Sequence, residues 1–155
     1  MRSYAYILSL GGDGLQEASE TAVLNANYLL ARLKDQAELL PAAYDRLCMH
    51  EFVLSGAPMK RRLGLRTLDL AKRLLDYGFH PPTVYFPLLV DEALLIEPTE
   101  TETRETLDAF ADVVGEIIAE AAEDPEIARN APYSTPVRRL DEAGAAKRPV
   151  IRQPL

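Results

Sequence analysis

The stretch TVYFPLLVDEALLIEP, Thr83–Pro98, decides the fold class. TVYFP and ALLIEP have the β-branched, aromatic and aliphatic composition of short strands. An acidic turn at Asp91–Glu92 joins them. The stretch therefore predicts two strands of a small, largely antiparallel sheet.

A third strand is predicted upstream at LCMHEFVLSG, Leu47–Gly56, and the APMKRRLGLR segment after it is interpreted as a loop. Helices are predicted at Gly14–Lys34, at LDLAKRLLDY between an N-cap at Thr67 and a stop at Gly78, and after EPTETETR. The order helix, strand, helix, strand, strand, helix predicts an α+β domain with the helices packed on one face of the sheet.

Apolar residues at three- and four-residue steps predict which side of each helix is buried. A short further helix is expected at Asp124-Pro125, because proline suits the first helical position. The buried stripes are predicted to be Leu68, Ala71, Leu74 and Leu75 in one helix, and Leu107, Phe110, Val114, Ile117, Ile118 and Ala121 in the next.

These patterns divide the chain into three parts. Residues 1–12 are interpreted as the end of an interdomain helix stopped by Gly11 and Gly12, because glycine accepts the left-handed cap conformation cheaply. Residues 13–130 form the α+β domain. Residues 131–155 carry several prolines without periodicity and are expected to be an extended tail.

The amino-acid composition argues against several classes of function for this chain. The chain has 155 residues and a net charge of −7, which argues against nucleic acid as a partner. No apolar run approaches the roughly 20 residues of a membrane span. Cys48 is the sole cysteine and there are two histidines, which leaves little material for a zinc site and fits a cytoplasmic protein.

His50 and Glu51 form a charged pair inside the third predicted strand, where alternate side chains face opposite sides. One interpretation is a hydrogen-bonding or proton-transfer group, and the other is an exposed pair on an edge strand. A nucleophile made of Cys48 and His50 is a remote third possibility, because it would need an orienting group and a cleft.

Two further positions follow the ends of regular elements. His80 comes after a helix C-terminus and precedes Pro81 and Pro82, which fix the backbone. A rigid corner of this kind suits a binding group or a plain connection equally well. Glu97 and Thr99 flank Pro98 at a strand end and could orient a ligand, although such residues more often lead into a helix cap.

Several segments resemble, in order, the C-terminal part of the glycine cleavage system P-protein family, the pyridoxal-phosphate-dependent glycine dehydrogenases (decarboxylating). The segments are ETAVLNANYLLARLKD, HEFVLS, AKRLLDYGFHPPTVYFP and LLIEPTETETRETLDAF. The end of the chain, NAPYSTPVRRLDEAGAAKRPVIR, resembles the end of subunit 2 in the split bacterial form. The resemblance covers nearly the whole chain.

The resemblance implies the small C-terminal domain of a fold type I pyridoxal-phosphate enzyme, an oxidoreductase of glycine catabolism. The family decarboxylates glycine and passes the aminomethyl group to the lipoyl arm of H-protein. It also implies a missing N-terminal large domain and subunit 1 as partners. Because GFHPPT is a motif of the family, the resemblance implies that His80 and Thr83 line or support the site. It makes His50, Glu51, Glu97 and Thr99 candidates for the same reason.

The chain departs from the family pattern in its lysines. It contains Lys34, Lys60, Lys72 and Lys147, and none has the context of the cofactor lysine. We therefore expect no pyridoxal phosphate and no activity on this chain alone, and an exposed apolar patch where the rest of the enzyme would pack. The alternative is a stand-alone α+β binding module whose apolar faces are all covered.

Overall fold

A computed structural model describes residues 1–36 and 38–152. The elements in chain order are α1 (Arg2–Arg32), a 3-10 turn (Leu33–Gln36), β1 (Phe52–Ser55), α2 (Ala57–Leu63), α3 (Thr67–Asp76), β2 (Thr83–Val84), β3 (Ala93–Ile96), α4 (Arg104–Glu123), α5 (Pro125–Arg129) and α6 (Glu142–Lys147).

The strands form one antiparallel sheet in the order β1-β3-β2. Phe52 pairs with Ile96 and Leu54 with Leu94, and these four side chains lie on the buried face. Val53 and Leu95 on the other face are only half-buried. One face of the sheet is thus packed on the helical core, which confirms the predicted α+β class.

Helix α4 forms much of that core. Its N-terminus is capped by Thr103, whose hydroxyl accepts a hydrogen bond from the Thr106 amide at 3.3 Å. Phe110 meets Phe79 edge to face, with ring centroids 5.4 Å apart. The predicted stripe is confirmed, since all six residues are buried: Leu107, Phe110, Val114, Ile117, Ile118 and Ala121.

Strand β1 is shorter than predicted, because it begins at Phe52 and not at Leu47. The Asn27 side chain of α1 accepts a hydrogen bond from the Cys48 amide at 3.0 Å and donates one to the Cys48 carbonyl at 2.8 Å. The backbone at Cys48 is therefore satisfied by a side chain and not by a neighbouring strand. His50 and Glu51 consequently lie before the strand, so the predicted alternation of their faces is wrong.

Helix α2 occupies the segment interpreted as a loop. A proline in its first turn and the left-handed Gly64 after its end give it suitable boundaries, and Met59 is fully buried.

Helix α3 is capped by Arg66, so Thr67 is its first residue and not its N-cap. Its buried side is also rotated from the prediction: Ala71 and Leu74 are buried, whereas Leu68 and Leu75 are half-buried and Thr67, Asp69 and Leu70 are buried in addition.

The acidic turn before β3 contains a buried charge, which sequence reasoning missed. The Glu92 carboxylate accepts hydrogen bonds from the Lys60 ammonium at 2.7 Å and from the Thr67 hydroxyl and amide at 3.0 and 3.2 Å. Its backbone carbonyl accepts from the Gly56 amide at 2.9 Å. Burial alone would raise the pKa of Glu92, but the hydrogen bonds from Lys60 and Thr67 hold it below its ordinary value.

The tail is more ordered than an extended segment. The Asp76 carboxylate accepts from the Tyr133 and Ser134 amides at 2.6 and 2.7 Å. Arg139 donates to the Ala128 carbonyl and forms an ion pair with Asp69 at 2.9 Å. Helix α6 follows, so the prediction of a wholly extended tail is wrong for residues 142–147. Residues 153–155 of that predicted tail lie outside the described residues.

The predicted helix stop at Gly11 is a kink in α1 rather than its end. Gly11 has φ +65° and ψ −172°, a conformation that suits only glycine, and the helix resumes after it. We call residues 2–10 the α1 arm. In the part of the chain described by the structure, no helix combines the length and apolarity that crossing a membrane requires.

The first testable prediction concerns Glu92. Glu92→Gln should lower the free energy of unfolding at pH 7 by about 1–3 kcal/mol, because buried hydrogen-bond donors lose their charged acceptor. Glu92 has a folded-state pKa below its unfolded value, so its contribution is present above that unfolded value of about 4.3 and is lost as the pH falls through the folded value. Urea unfolding at pH 7 and at pH 3.5 measures the difference, which should shrink at the lower pH.

The exposed Glu116→Gln on α4 is the matched control and should change stability little at either pH. An equal loss of stability in the Glu92 variant at both pH values would contradict the assignment of a buried, ionised carboxylate.

Candidate functional site

The segment Glu97–Thr99, directly after β3, separates two clefts that contain most of the predicted site residues. We call the cleft on the α1 side cleft A, with a volume of about 400 Å³, and the one on the α4 side cleft B, with about 260 Å³. Both clefts share Glu97, Pro98 and Thr99 as one wall. The rigid strand end predicted as a candidate site thus borders both clefts.

Cleft A brings together His50 and Glu97. The His50 Nε2 atom lies 3.9 Å from Glu97 Oε1, and the two side chains are 53% and 55% exposed. Tyr6 of the α1 arm reaches the same cleft and its hydroxyl donates to the Glu100 carboxylate at 3.4 Å. The pair is open to solvent, so another surface would have to close the cleft before water is excluded from it.

Two asparagines on α1 hold the walls of cleft A. Asn25 donates to the Thr99 carbonyl at 2.9 Å and to the Glu102 carbonyl at 3.1 Å. Asn27 holds the Cys48 backbone two residues before His50. Sequence reasoning missed both residues, although a pair of asparagines inside an apolar helix (Asn25-Ala26-Asn27) is a signal that side-chain amides bond to something outside the helix.

Cleft B contains His80 with Pro81 and Pro82 on one side. Phe79 and Phe110 form its apolar floor, since both rings line it and contact each other. His80 itself is exposed. The two prolines fix the backbone after His80, which faces the Glu97–Thr99 wall from the side opposite cleft A.

The other two predicted residues lie apart from these clefts. Glu51 lines a neighbouring groove of about 570 Å³, which shares Met49 and His50 with cleft A and includes Val53 and Leu95 on the open face of the sheet. Thr83 is exposed on strand β2 and pairs with Leu95. The structure therefore gathers His50, Glu97 and Thr99, places His80 behind them, and separates Glu51 and Thr83.

Cys48 does not fit a nucleophile. Burial raises the pKa of its thiol, which disfavours the reactive thiolate. Cys48 and His50 both precede β1, so the strand spacing that would place them on one face is absent. This geometry argues against the thiol hydrolase alternative.

The resemblance implies pyridoxal phosphate, which a lysine amine would have to hold. Lys60 donates to Glu92, and this hydrogen bond raises the pKa of its ammonium, so the amine is held in its unreactive form. Lys34 lines a groove with Tyr44 and Arg46, away from Glu97. Neither cleft A nor cleft B is lined by a lysine among the described residues. The residues present therefore do not fit a pyridoxal phosphate site, and no chemical step is derived through that cofactor.

Comparison with known proteins identifies the domain. A family model described as the C-terminal domain of glycine dehydrogenase matches residues 18–135. Proteins named probable glycine dehydrogenase (decarboxylating) subunit 2 from Kosmotoga olearia and Caldanaerobacter subterraneus subsp. tengcongensis are 59% and 60% identical over 152 residues, which is 98% of this chain. A protein of the same name from Bacillus velezensis is 58% identical over the same length.

The chain spans only 30–31% of the length of these relatives. The family match nevertheless covers all the residues that build clefts A and B except Tyr6 and Leu15. The chain belongs to the family of glycine dehydrogenase C-terminal domains.

Proposed function

We propose that this chain is the small C-terminal domain of a fold type I, pyridoxal-phosphate-dependent glycine dehydrogenase. The complete enzyme would decarboxylate glycine and pass the aminomethyl group to lipoyl H-protein. The names of the relatives support the activity, and the description as subunit 2 supports a companion subunit 1. The α+β architecture with one covered sheet face is consistent with a small domain of that enzyme class.

The observation that carries this proposal is the half-built cleft A. One wall consists of His50, Glu97 and Thr99 and the other of α1 residues, while the His50–Glu97 pair remains more than half exposed to solvent. Next to it the α1 arm exposes Tyr4, Ile7 and Leu8 at 69%, 51% and 65%. An apolar patch beside an open polar cleft is typical of a surface that another protein body covers.

We infer different roles for the residues of this chain and for those of the rest of the enzyme. The residues that hold the cofactor lie outside this chain, because its lysines do not fit that role. His50, Glu97 and Thr99 would close one side of the site and orient polar groups, and His80 would support their wall from cleft B. Glu51 and Thr83 would fix the domain against neighbouring protein.

The alternative of a stand-alone binding module predicts that the apolar surfaces of the chain are covered. The exposed α1 arm favours the first proposal. The two proposals also differ in what happens when the remaining parts of the enzyme are supplied.

Reconstitution tests the proposed function. The isolated chain mixed with pyridoxal phosphate should give no Schiff-base absorbance, because its lysines lack a suitable setting. Glycine–CO2 exchange should appear only after addition of the N-terminal two-thirds of Kosmotoga olearia subunit 2 together with its subunit 1. Omission of this chain is the control, and exchange that is equally fast without it would refute the proposal.

Asn27→Ala tests how cleft A is held. The Cys48 amide loses its acceptor, so hydrogen exchange should speed up in residues 46–51 and remain unchanged in residues 99–103. Asn25→Ala is the reciprocal control, because it releases the Thr99 and Glu102 carbonyls instead. In the reconstituted enzyme Asn27→Ala should reduce exchange of glycine and CO2 about tenfold or more, since small misplacements of site residues are costly.

Identical exchange patterns in the two asparagine variants would contradict separate support for the two walls. A loss of global stability equal in both variants, without local changes, would have the same meaning.

A further inference from the structure

Helix α3 ends on a carboxylate that its own helix disfavours. Asp76 is the last residue of the helix, where the helix dipole opposes a negative charge, and its side chain is only 6% exposed. A buried carboxylate persists in such a place only where hydrogen-bond donors surround it. Arg73, one turn earlier, donates to it at 3.0 Å.

Further donors to Asp76 come from the C-terminal tail. The Tyr133 and Ser134 amides donate to its Oδ1 atom at 2.6 and 2.7 Å, and the Ser134 hydroxyl donates to the same atom at 2.9 Å. Burial alone would raise the pKa of Asp76, but the hydrogen bonds from Ser134, Tyr133 and Arg73 hold it below its ordinary value. The tail therefore helps to keep this carboxylate ionised at the end of α3.

A second attachment of the tail lies at the other end of the same helix. Asp69 precedes Asp76 by seven residues, a spacing that places both carboxylates on one side of α3. Arg139 forms an ion pair with Asp69 at 2.9 Å and donates to the Ala128 carbonyl of α5 at 3.0 Å. We call residues 131–139 the tail clasp, because they join α5 to both ends of α3.

The tail clasp has internal contacts that fix its shape. The Arg138 guanidinium lies 4.8 Å from the centre of the Tyr133 ring, and the Arg73 guanidinium lies 5.6 Å from the same ring. Arg138 also donates to the Asn130 and Pro132 carbonyls at 2.8 and 3.2 Å. The clasp therefore presents its donors to α3 in a defined arrangement.

The turn that leads into cleft B begins directly after Asp76. Gly78 has φ +81°, which suits glycine, and the Phe79 amide donates back to the Leu74 carbonyl of α3 at 3.1 Å. Phe79 and His80 then line cleft B. The chain thus reaches His80 through a short turn that starts at the residue held by the clasp.

We propose that the tail clasp is a positioning element for cleft B, which acts through Asp76 to hold Phe79 and His80 against the Glu97–Thr99 wall. No residue of the clasp lines cleft A or cleft B, so the clasp acts on the site through α3. The consequence for activity rests on the proposed function, whereas the effect on His80 belongs to this chain alone. The competing interpretation is that the clasp contributes only global stability.

Two variants cut the tail clasp from opposite sides. Truncation after Asn130 removes the clasp, and Asp76→Ala removes its attachment while the tail stays. The chain has two histidines, so NMR of the imidazole groups separates His80 from His50, the internal reference. In both variants the His80 signal should move and the His50 signal should stay. Hydrogen exchange should become about tenfold faster or more in the amides of residues 77–79 and remain unchanged in β1 and β3.

Truncation after Leu140 is the matched control, because it shortens the chain but keeps the hydrogen bonds of Tyr133, Ser134 and Arg139. Its His80 signal and its exchange at residues 77–79 should equal those of the full chain. Ser134→Ala removes one hydrogen bond and should give a smaller change of the same kind, which decides the matter if both larger changes prevent folding. An unmoved His80 signal in the folded variants would overturn the proposal, and so would equal acceleration of exchange in every element.

The reconstitution assay separates this inference from the proposed function. The two clasp variants should lower the maximum rate of glycine–CO2 exchange about tenfold or more at an unchanged half-saturating concentration of subunit 1, because misplaced site residues slow the chemistry. An unchanged maximum rate would overturn the role in cleft B, as would an effect confined to the half-saturating concentration. If the proposed function fails, the full chain supports no exchange either, and the NMR and hydrogen-exchange results still decide whether the clasp holds His80.

Discussion

The Glu92 carboxylate is a full charge with a side chain only 2% exposed, and the arrangement of the sheet depends on how it is satisfied. An unpaired buried carboxylate would cost several kcal/mol. Lys60 comes from α2 and Thr67 from the first turn of α3, so one side chain fixes both helices against the start of β3. Gly56 completes the contact, because a Cβ there would collide with the Thr67 methyl group.

Strand β3 transmits this constraint, because it is the central strand and pairs with both β1 and β2. Its first end is set by Glu92 and its last end carries Glu97, the shared wall of clefts A and B. Helix α1 positions both sides of cleft A. Asn25 binds the Thr99 carbonyl on one side, and Asn27 binds the Cys48 backbone on the other. The distance between His50 and Glu97 is therefore fixed by hydrogen bonds to backbone groups and not by contacts between these two exposed side chains.

The sequence predicted what local periodicity controls and missed what distant side chains control. Helix α4 was predicted with six of its seven buried residues, all but Ala111, because its 20 residues repeat the pattern over several turns. Strand β1 was predicted to begin five residues too early, because the bond between Asn27 and Cys48 spans 21 residues. Helix α2 has only seven residues and a run of cations, and nothing in the turn at Asp91–Glu92 indicates that Lys60 and Thr67 bind Glu92. The resemblance indicated six candidate residues together, but it could not distinguish Glu51 and Thr83 from the residues that line clefts A and B.

The contrast between the two kinds of surface on this domain explains why we regard it as part of a larger enzyme. Arg73 illustrates the first kind: it forms two hydrogen bonds with Glu120 at 3.0 Å and one with Asp76, which in turn holds Tyr133, so even the tail is fastened to the helices. A domain that satisfies its own polar groups this thoroughly has no need of another body to complete its core. Exposed apolar side chains such as Tyr4 and Leu8 on the α1 arm, and Leu88 and Leu89 between β2 and β3, lie outside the core. Exposed apolar patches are typical of surfaces that another protein covers, which supports the proposal that this domain works as part of a larger enzyme.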